Sequence, residues 1–138
     1  MTEEKARNGI PNASSADTLN QGLFIRYEFD GTGIFHALKL LYDCDMERAD
    51  EEELEEAEYI LNKDLVCPCI DWQKIPDSRC WFSEDGVKAF KEELDTLMCL
   101  FHKYLEDAGI GELRIVRKKI PEQNIIYRDN FQVVAVHT

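Results

Sequence analysis

The residues best suited to binding a metal ion are cysteines. Cys67-Pro-Cys69 forms a close pair, and Cys44 and Cys80 could complete a set of four thiolates. Structural zinc sites usually separate paired cysteines by two to four residues, whereas a single proline separates this pair. The spacing therefore favours reduced thiols over a metal site. The fifth cysteine, Cys99, falls within an apolar helical stripe, and we expect it to be a small core residue.

The three histidines, His36, His102 and His137, do not form a recognisable nucleophilic motif. None lies in a Gly-x-Ser-x-Gly or Cys-His context. His36 follows the glycine turn at residues 30–34, which could place it near a site. That turn lacks a third glycine, and no Gly-Lys-Ser/Thr follows it, so it indicates a tight strand-to-helix connection rather than a phosphate loop. No cofactor is expected from these motifs.

Three distant polar residues suggest another chemistry. Arg26 lies on the first predicted strand, Ser83 precedes a predicted helix, and Gln132 lies on the last predicted strand. This order resembles the layout of the ADP-ribosyltransferase family, in which an early Arg, a central Ser and a late acidic residue hold a nicotinamide dinucleotide. The resemblance implies a nucleotide-binding enzyme that uses these three side chains. The chain carries Gln132 where that family typically needs Glu, and an amide stabilises cationic character at the ribose poorly. A degenerate site of this kind is therefore an alternative function.

The net charge of −12 is concentrated in one segment of the chain. Residues 43–64 contain eleven acidic residues against Arg48 and Lys63, a local net charge of −9. So dense an anionic surface repels nucleic acid and acidic membranes and favours basic partners. We expect the partner-binding residues to be the acids of the predicted helix at 50–63, namely Asp50, Glu51, Glu52, Glu55, Glu56 and Glu58.

A basic segment offers a counterpart to these acids. Residues 113–128 contain five Lys or Arg residues against Glu122 alone. The segment could complement the acidic helix within the molecule or form a second binding face. Direct nucleic-acid binding is not expected, because the sequence pI is near 4.6.

The periodicity of the chain changes from strand to helix and back to strand. Residues 23–29 and 113–120 are typical of strands, and a hairpin is predicted from residues 124–128 and 131–136 around Asp129-Asn130. Helices are predicted near residues 34–41, at 50–63, and as one long helix from the N-cap Ser83 to Gly109. The segment from Leu65 to Cys80 shows no regular period.

These elements predict one α+β domain over residues 21–138. The N-terminal strand joins three C-terminal strands in a mostly antiparallel sheet, which packs against the long helix and two shorter helices. Residues 1–20 contain almost no large apolar side chains and are expected to be a flexible tail. The Met1–Arg7 segment lacks the apolar core of a secretory signal and no stretch is long enough to span a bilayer, so a cytoplasmic location without membrane association is expected.

The favoured function is protein binding. The chain would act as an inhibitor or regulator of the phage or mobile-element type, docking its acidic helix on a basic or nucleic-acid-binding partner as a nucleic-acid mimic. A further alternative is a homo-oligomeric accessory domain. In that case Trp72, Trp81 and the edge of the C-terminal strand would form the contact between copies.

Overall fold

The computed structural model describes residues 23–68 and 70–138. The tail predicted for residues 1–20, and also Cys69, lie outside the described residues. The described elements, in chain order, are β1 (Leu23–Phe29), β2 (Thr32–Gly33), α1 (Ile34–Tyr42), α2 (Arg48–Asp64), β3 (Arg79–Phe82), α3 (Glu84–Ala89), α4 (Lys91–Lys103), β4 (Leu113–Lys119), a short 3-10 turn (Glu122–Asn124), β5 (Ile125–Arg128) and β6 (Gln132–Ala135).

The strands form one antiparallel sheet in the order β2-β1-β3-β6-β5, and β4 pairs with β1 along its whole length. The predicted α+β class is confirmed. Two of the strands were not predicted from the sequence. The first is β2, which has only two residues and pairs with the end of β1. The second is β3, which carries the β-prone sequence Arg-Cys-Trp-Phe at the end of the segment predicted to be irregular.

The two faces of the sheet carry different cores. The register aligns Ile25, Phe82 and Gln132 across three strands, so their side chains share one face. Ile25 and Phe82 belong to the main core, together with residues of α1, α2 and α4 such as Leu41, Leu61 and Leu97. The opposite face has a smaller core of five buried residues, Phe24, Trp81, Ile120, Val133 and Ala135.

The predicted long helix is two helices, α3 and α4, which meet at Phe90. Phe90 leaves the helical conformation at φ −112° and packs edge-on against Phe131, with ring centroids 5.3 Å apart. Gly86 allows this arrangement, because a Cβ there would lie 2.1 Å from the carbonyl oxygen of Phe131. The helix also ends at Lys103 rather than at Gly109. No helix in the described ranges is long and apolar enough to cross a membrane.

Three expectations about exposure were wrong. Trp81 is 2% exposed, so it cannot form a contact between copies of the chain. The C-terminal strand β6 is not an edge of the sheet, because it pairs with both β3 and β5. Cys99 is exposed, since the buried stripe of α4 runs through Leu94, Leu97, Leu100 and Phe101 and leaves position 99 to one side.

Candidate functional site

The outer surface of α2 is the first candidate. We define the acidic face as Glu51, Glu52, Glu55, Glu56 and Tyr59, which are exposed on this helix. The opposite side of the helix buries Leu54, Ala57 and Leu61 against the core. Apolar residues at this spacing leave the remaining positions of the helix to solvent, which is why the acids project outward.

Two of the six predicted partner-binding acids, Asp50 and Glu58, form hydrogen bonds with other helices or with the residues that follow them. Asp50 is half-buried and accepts hydrogen bonds from Lys103 Nζ at 2.7 Å and Tyr104 Oη at 2.6 Å. These contacts lower the pKa of Asp50. Glu58 accepts a hydrogen bond from Tyr42 Oη at 2.5 Å, and burial together with this bond raises the pKa of Tyr42. Asp50 and Glu58 therefore hold α2 in place.

The other four acids project into solvent. Glu52 pairs with Arg48 at 3.2 Å, but both side chains are largely exposed, so this bridge is weak. Among the described residues, no ion pair engages Glu51, Glu55 or Glu56. Within the described residues, these three carboxylates have no cationic partner on the acidic face.

The basic segment does not neutralise the acidic face. Arg114 pairs with Glu28, Lys118 donates to the backbone oxygen of Thr138, and Arg128 pairs with Glu122. Within the described chain, no cation of β4 or β5 reaches a carboxylate of α2. Internal complementation, one of the two possibilities for the basic segment, is not seen in the described residues, because β4 pairs with β1 while α2 packs mainly on α4.

A groove between α2 and α4 extends the negative surface. We define the acidic groove by its carboxylates Glu53, Glu56, Glu92 and Glu93, which line a volume of about 260 Å³. No Lys, Arg or His is among its described lining residues. Glu92 and Glu93 are distant from the acidic helix along the chain, and they lie beside it only because α2 packs against α4.

A larger cleft opens beside the sheet and brings together two of the three residues of the enzyme alternative. Arg26 and Gln132 both line this cleft of about 670 Å³. Ser83 is not among its lining residues. Its Oγ accepts a hydrogen bond from the amide of Gly86 at 2.9 Å and donates one to the carbonyl oxygen of Asn130. Ser83 is therefore the N-cap of α3, as its position before the helix predicted.

Arg26 belongs to a buried ionic network. Its Nε donates to Glu28 at 3.0 Å and its Nη1 donates to the carbonyl oxygen of Cys80 at 3.0 Å. Arg114 donates to the other oxygen of Glu28 at 2.9 Å. Glu28 thus lies between two guanidinium groups, which holds the Arg26 side chain in the wall of the cleft.

The four described cysteines are not paired with one another. Burial raises the pKa of the Cys80 thiol, and burial also raises that of Cys44, whose Sγ donates to the carbonyl oxygen of Leu40. In residues 23–68 and 70–138, no group of three or more His, Cys, Asp or Glu side chains is arranged to hold a metal ion.

Comparisons with protein-family models, with curated proteins and with solved structures gave no match to this chain.

Proposed function

We propose that this protein acts by binding a basic protein partner through the acidic face and the acidic groove. The partner would place cationic side chains against Glu51, Glu55 and Glu56 and in the groove. In the cell this contact would inhibit or regulate the partner. The cytoplasm is the proposed location, because it keeps thiols such as the four described cysteines reduced.

The acidic groove carries the proposal. Four carboxylates line one open groove with no cation among the described lining residues, which concentrates negative potential there. A lysine or arginine side chain of a partner would balance this charge. The groove is therefore better suited to a cationic partner than to any other.

Tyr59 supplies an uncharged anchor in the same surface. Its side chain is 65% exposed on the acidic face, with Lys63 Nζ 6.0 Å from the ring centroid. Tyrosine is enriched among the interface residues that dominate binding energy, because its ring buries a large area at small entropic cost. An aromatic ring among carboxylates suits a partner with both cationic and apolar groups.

The charge of the partner also follows from this surface. Nucleic acid itself would be repelled, since its phosphates carry the same sign as the face. A protein that binds nucleic acid presents a cationic surface, and carboxylates fixed on a helix could take the place of phosphates there.

The proposal is tested with a fluorescein-labelled arginine-rich peptide and a variant that removes three charges from the face, Glu51→Gln, Glu55→Gln and Glu56→Gln. We expect the Kd at low salt to rise about tenfold, since each lost exposed ion pair is worth about 0.5 kcal/mol. Fluorescence anisotropy measures the affinity. Tyr59→Ala should also weaken binding, and that loss should persist at high salt because it is not electrostatic.

The matched control removes three exposed acids elsewhere, through Glu106→Gln, Asp107→Asn and Glu112→Gln, and so has the same net charge. We expect its Kd to stay close to that of the unaltered protein. If the control weakens binding as much as the variant of the face, net charge alone attracts the peptide and the proposed site is refuted.

A further inference from the structure

The large cleft has the size and shape of a small-molecule site and no role in the proposed function. Its volume of about 670 Å³ lies in the range of ligand-binding cavities. It is bounded by the start of α1, by strand β3, and by Trp72 from the loop between α2 and β3. None of its described lining residues is acidic, although the chain has a net charge of −12.

The start of α1 makes one wall of the cleft suited to an anion. Gly33, Ile34, Phe35 and His36 line the cleft, and the N-cap Gly33 has no side chain to accept a hydrogen bond from the first amides. The first turn of α1 also contains no acidic residue. The amide groups and the positive end of a nine-residue helix therefore stabilise negative charge at this wall.

Two arginines reinforce this preference. Arg26 is fixed in the wall by Glu28 and by the carbonyl oxygen of Cys80, and Arg79 lines the cleft from the start of β3. Trp81 is 2% exposed and also lines the cleft, and its Nε1 has no hydrogen-bond partner within the described chain. This N–H has almost no accessible surface, so a ligand acceptor satisfies it only if the cleft wall adjusts on binding.

The mouth of the cleft carries aromatic rings. Trp72 is 44% exposed and Phe35 is 39% exposed, and both line the cleft. Large aromatic side chains that are exposed beside cationic groups can stack on a flat ring of an anionic ligand. Phe35 also packs against Phe82, with ring centroids 6.0 Å apart. An inorganic anion alone would leave the exposed parts of the Trp72 and Phe35 rings in solvent.

We propose that the cleft binds a small anion that carries a flat ring, and that a nucleoside monophosphate represents this class. The anionic group lies against the start of α1 and Arg26, and the ring stacks on Trp72 and Phe35. This site is independent of the acidic face, so either assignment can fail without the other.

The chain provides its own reporter for this proposal, because both of its tryptophans line the cleft. Titration of the full chain with AMP should change the tryptophan fluorescence saturably, and calorimetry should give a Kd below about 1 mM, the range of a weak small-molecule complex. Adenosine and inorganic phosphate, each added alone, should bind at least about tenfold more weakly than AMP. Adenosine lacks the anionic group, and inorganic phosphate lacks the flat ring. Benzoate in place of AMP tests whether a carboxylate on a flat ring is enough.

The variants address the two halves of the site separately. Trp72→Ala should raise the Kd for AMP about tenfold through lost stacking, and Arg79→Gln should raise it severalfold through lost charge. Arg117→Gln removes an exposed arginine from β4, which does not line the cleft, and should leave the Kd unchanged. Both tested residues are exposed, so neither substitution should prevent folding.

The proposal is overturned by any of three results. One is the absence of saturable binding for both AMP and benzoate. Another is binding of inorganic phosphate as tight as that of AMP, which would remove the role of the rings. The third is equal weakening by Arg79→Gln and Arg117→Gln, which would show only a general effect of charge.

Discussion

At the scale of single residues, Glu28 is the most constrained charged group in the described chain. Its side chain is 7% exposed and lies between Arg26 and Arg114. A buried carboxylate is stable only when its hydrogen-bonding capacity is met, and two guanidinium groups meet it here. Residues 26 and 28 share a face of β1, because side chains alternate along a strand. The sequence did not indicate their burial, because Arg114 joins them only through the pairing of β1 with β4.

Glu28→Gln should destabilise the protein strongly. The substitution leaves two arginines without their shared anion, and we expect the free energy of unfolding to fall by about 3–5 kcal/mol, as for other broken buried ion pairs. Urea denaturation at neutral pH measures the change. Arg114→Gln is the control, since the Arg114 side chain is 57% exposed and its loss should cost about 1 kcal/mol or less. Equal stability of Glu28→Gln and the unaltered protein would contradict this account of the network.

At the scale of elements, a contact between α2 and α4 fixes the orientation of the acidic face. Tyr104 Oη donates to Asp50 and accepts from the backbone amide of Glu47 at 3.1 Å. Lys103 Nζ lies 2.7 Å from Asp50 and 3.5 Å from Glu47. The end of α4 thus holds the start of α2, where the first amides of a helix need acceptors. Asp50 therefore stabilises the scaffold, and its side chain is 15% exposed.

This contact should make stability depend on acid pH. The folded pKa of Asp50 is lower than its ordinary value, so its contribution is complete above about pH 4 and is lost as the pH falls through the folded pKa. Asp50→Asn should therefore be less stable than the unaltered protein at neutral pH, and the difference should shrink towards about pH 2. Urea midpoints across this pH range measure the effect. Glu51→Gln is the control, and a difference for Asp50→Asn that stays constant with pH would contradict the assignment.

The elements themselves show what the sequence could and could not predict. Strand β1 was predicted with its bounds, and Ser83 was predicted as a helix N-cap, because both depend on local pattern. The division of the long helix at Phe90 was missed, since it depends on the contact of Phe90 with Phe131. Strand β3 was missed because its position between β1 and β6 depends on pairing with distant residues.

At the scale of the whole molecule, charge is separated by the topology. Acids of α2 and α4 line one groove, and the basic strand β4 pairs with β1. Among the described residues, no ion pair joins β4 to the acids of this groove. The acidic helix could be predicted from the sequence, but the acidic groove could not, because Glu92 and Glu93 lie beside that helix only through the packing of α2 against α4. Arg26 and Gln132 could be selected as candidate residues, but the cleft could not be predicted, because its aromatic residues come from separate segments.

In the proposed function, a cationic partner contacts the acidic face and the acidic groove rather than another part of the protein. Titration of the ¹⁵N-labelled protein with the arginine-rich peptide, followed by amide chemical shifts, locates this contact residue by residue. We predict that the largest changes occur in residues 50–63 and 92–96. Changes centred on the sheet, or spread evenly over the surface, would contradict the account.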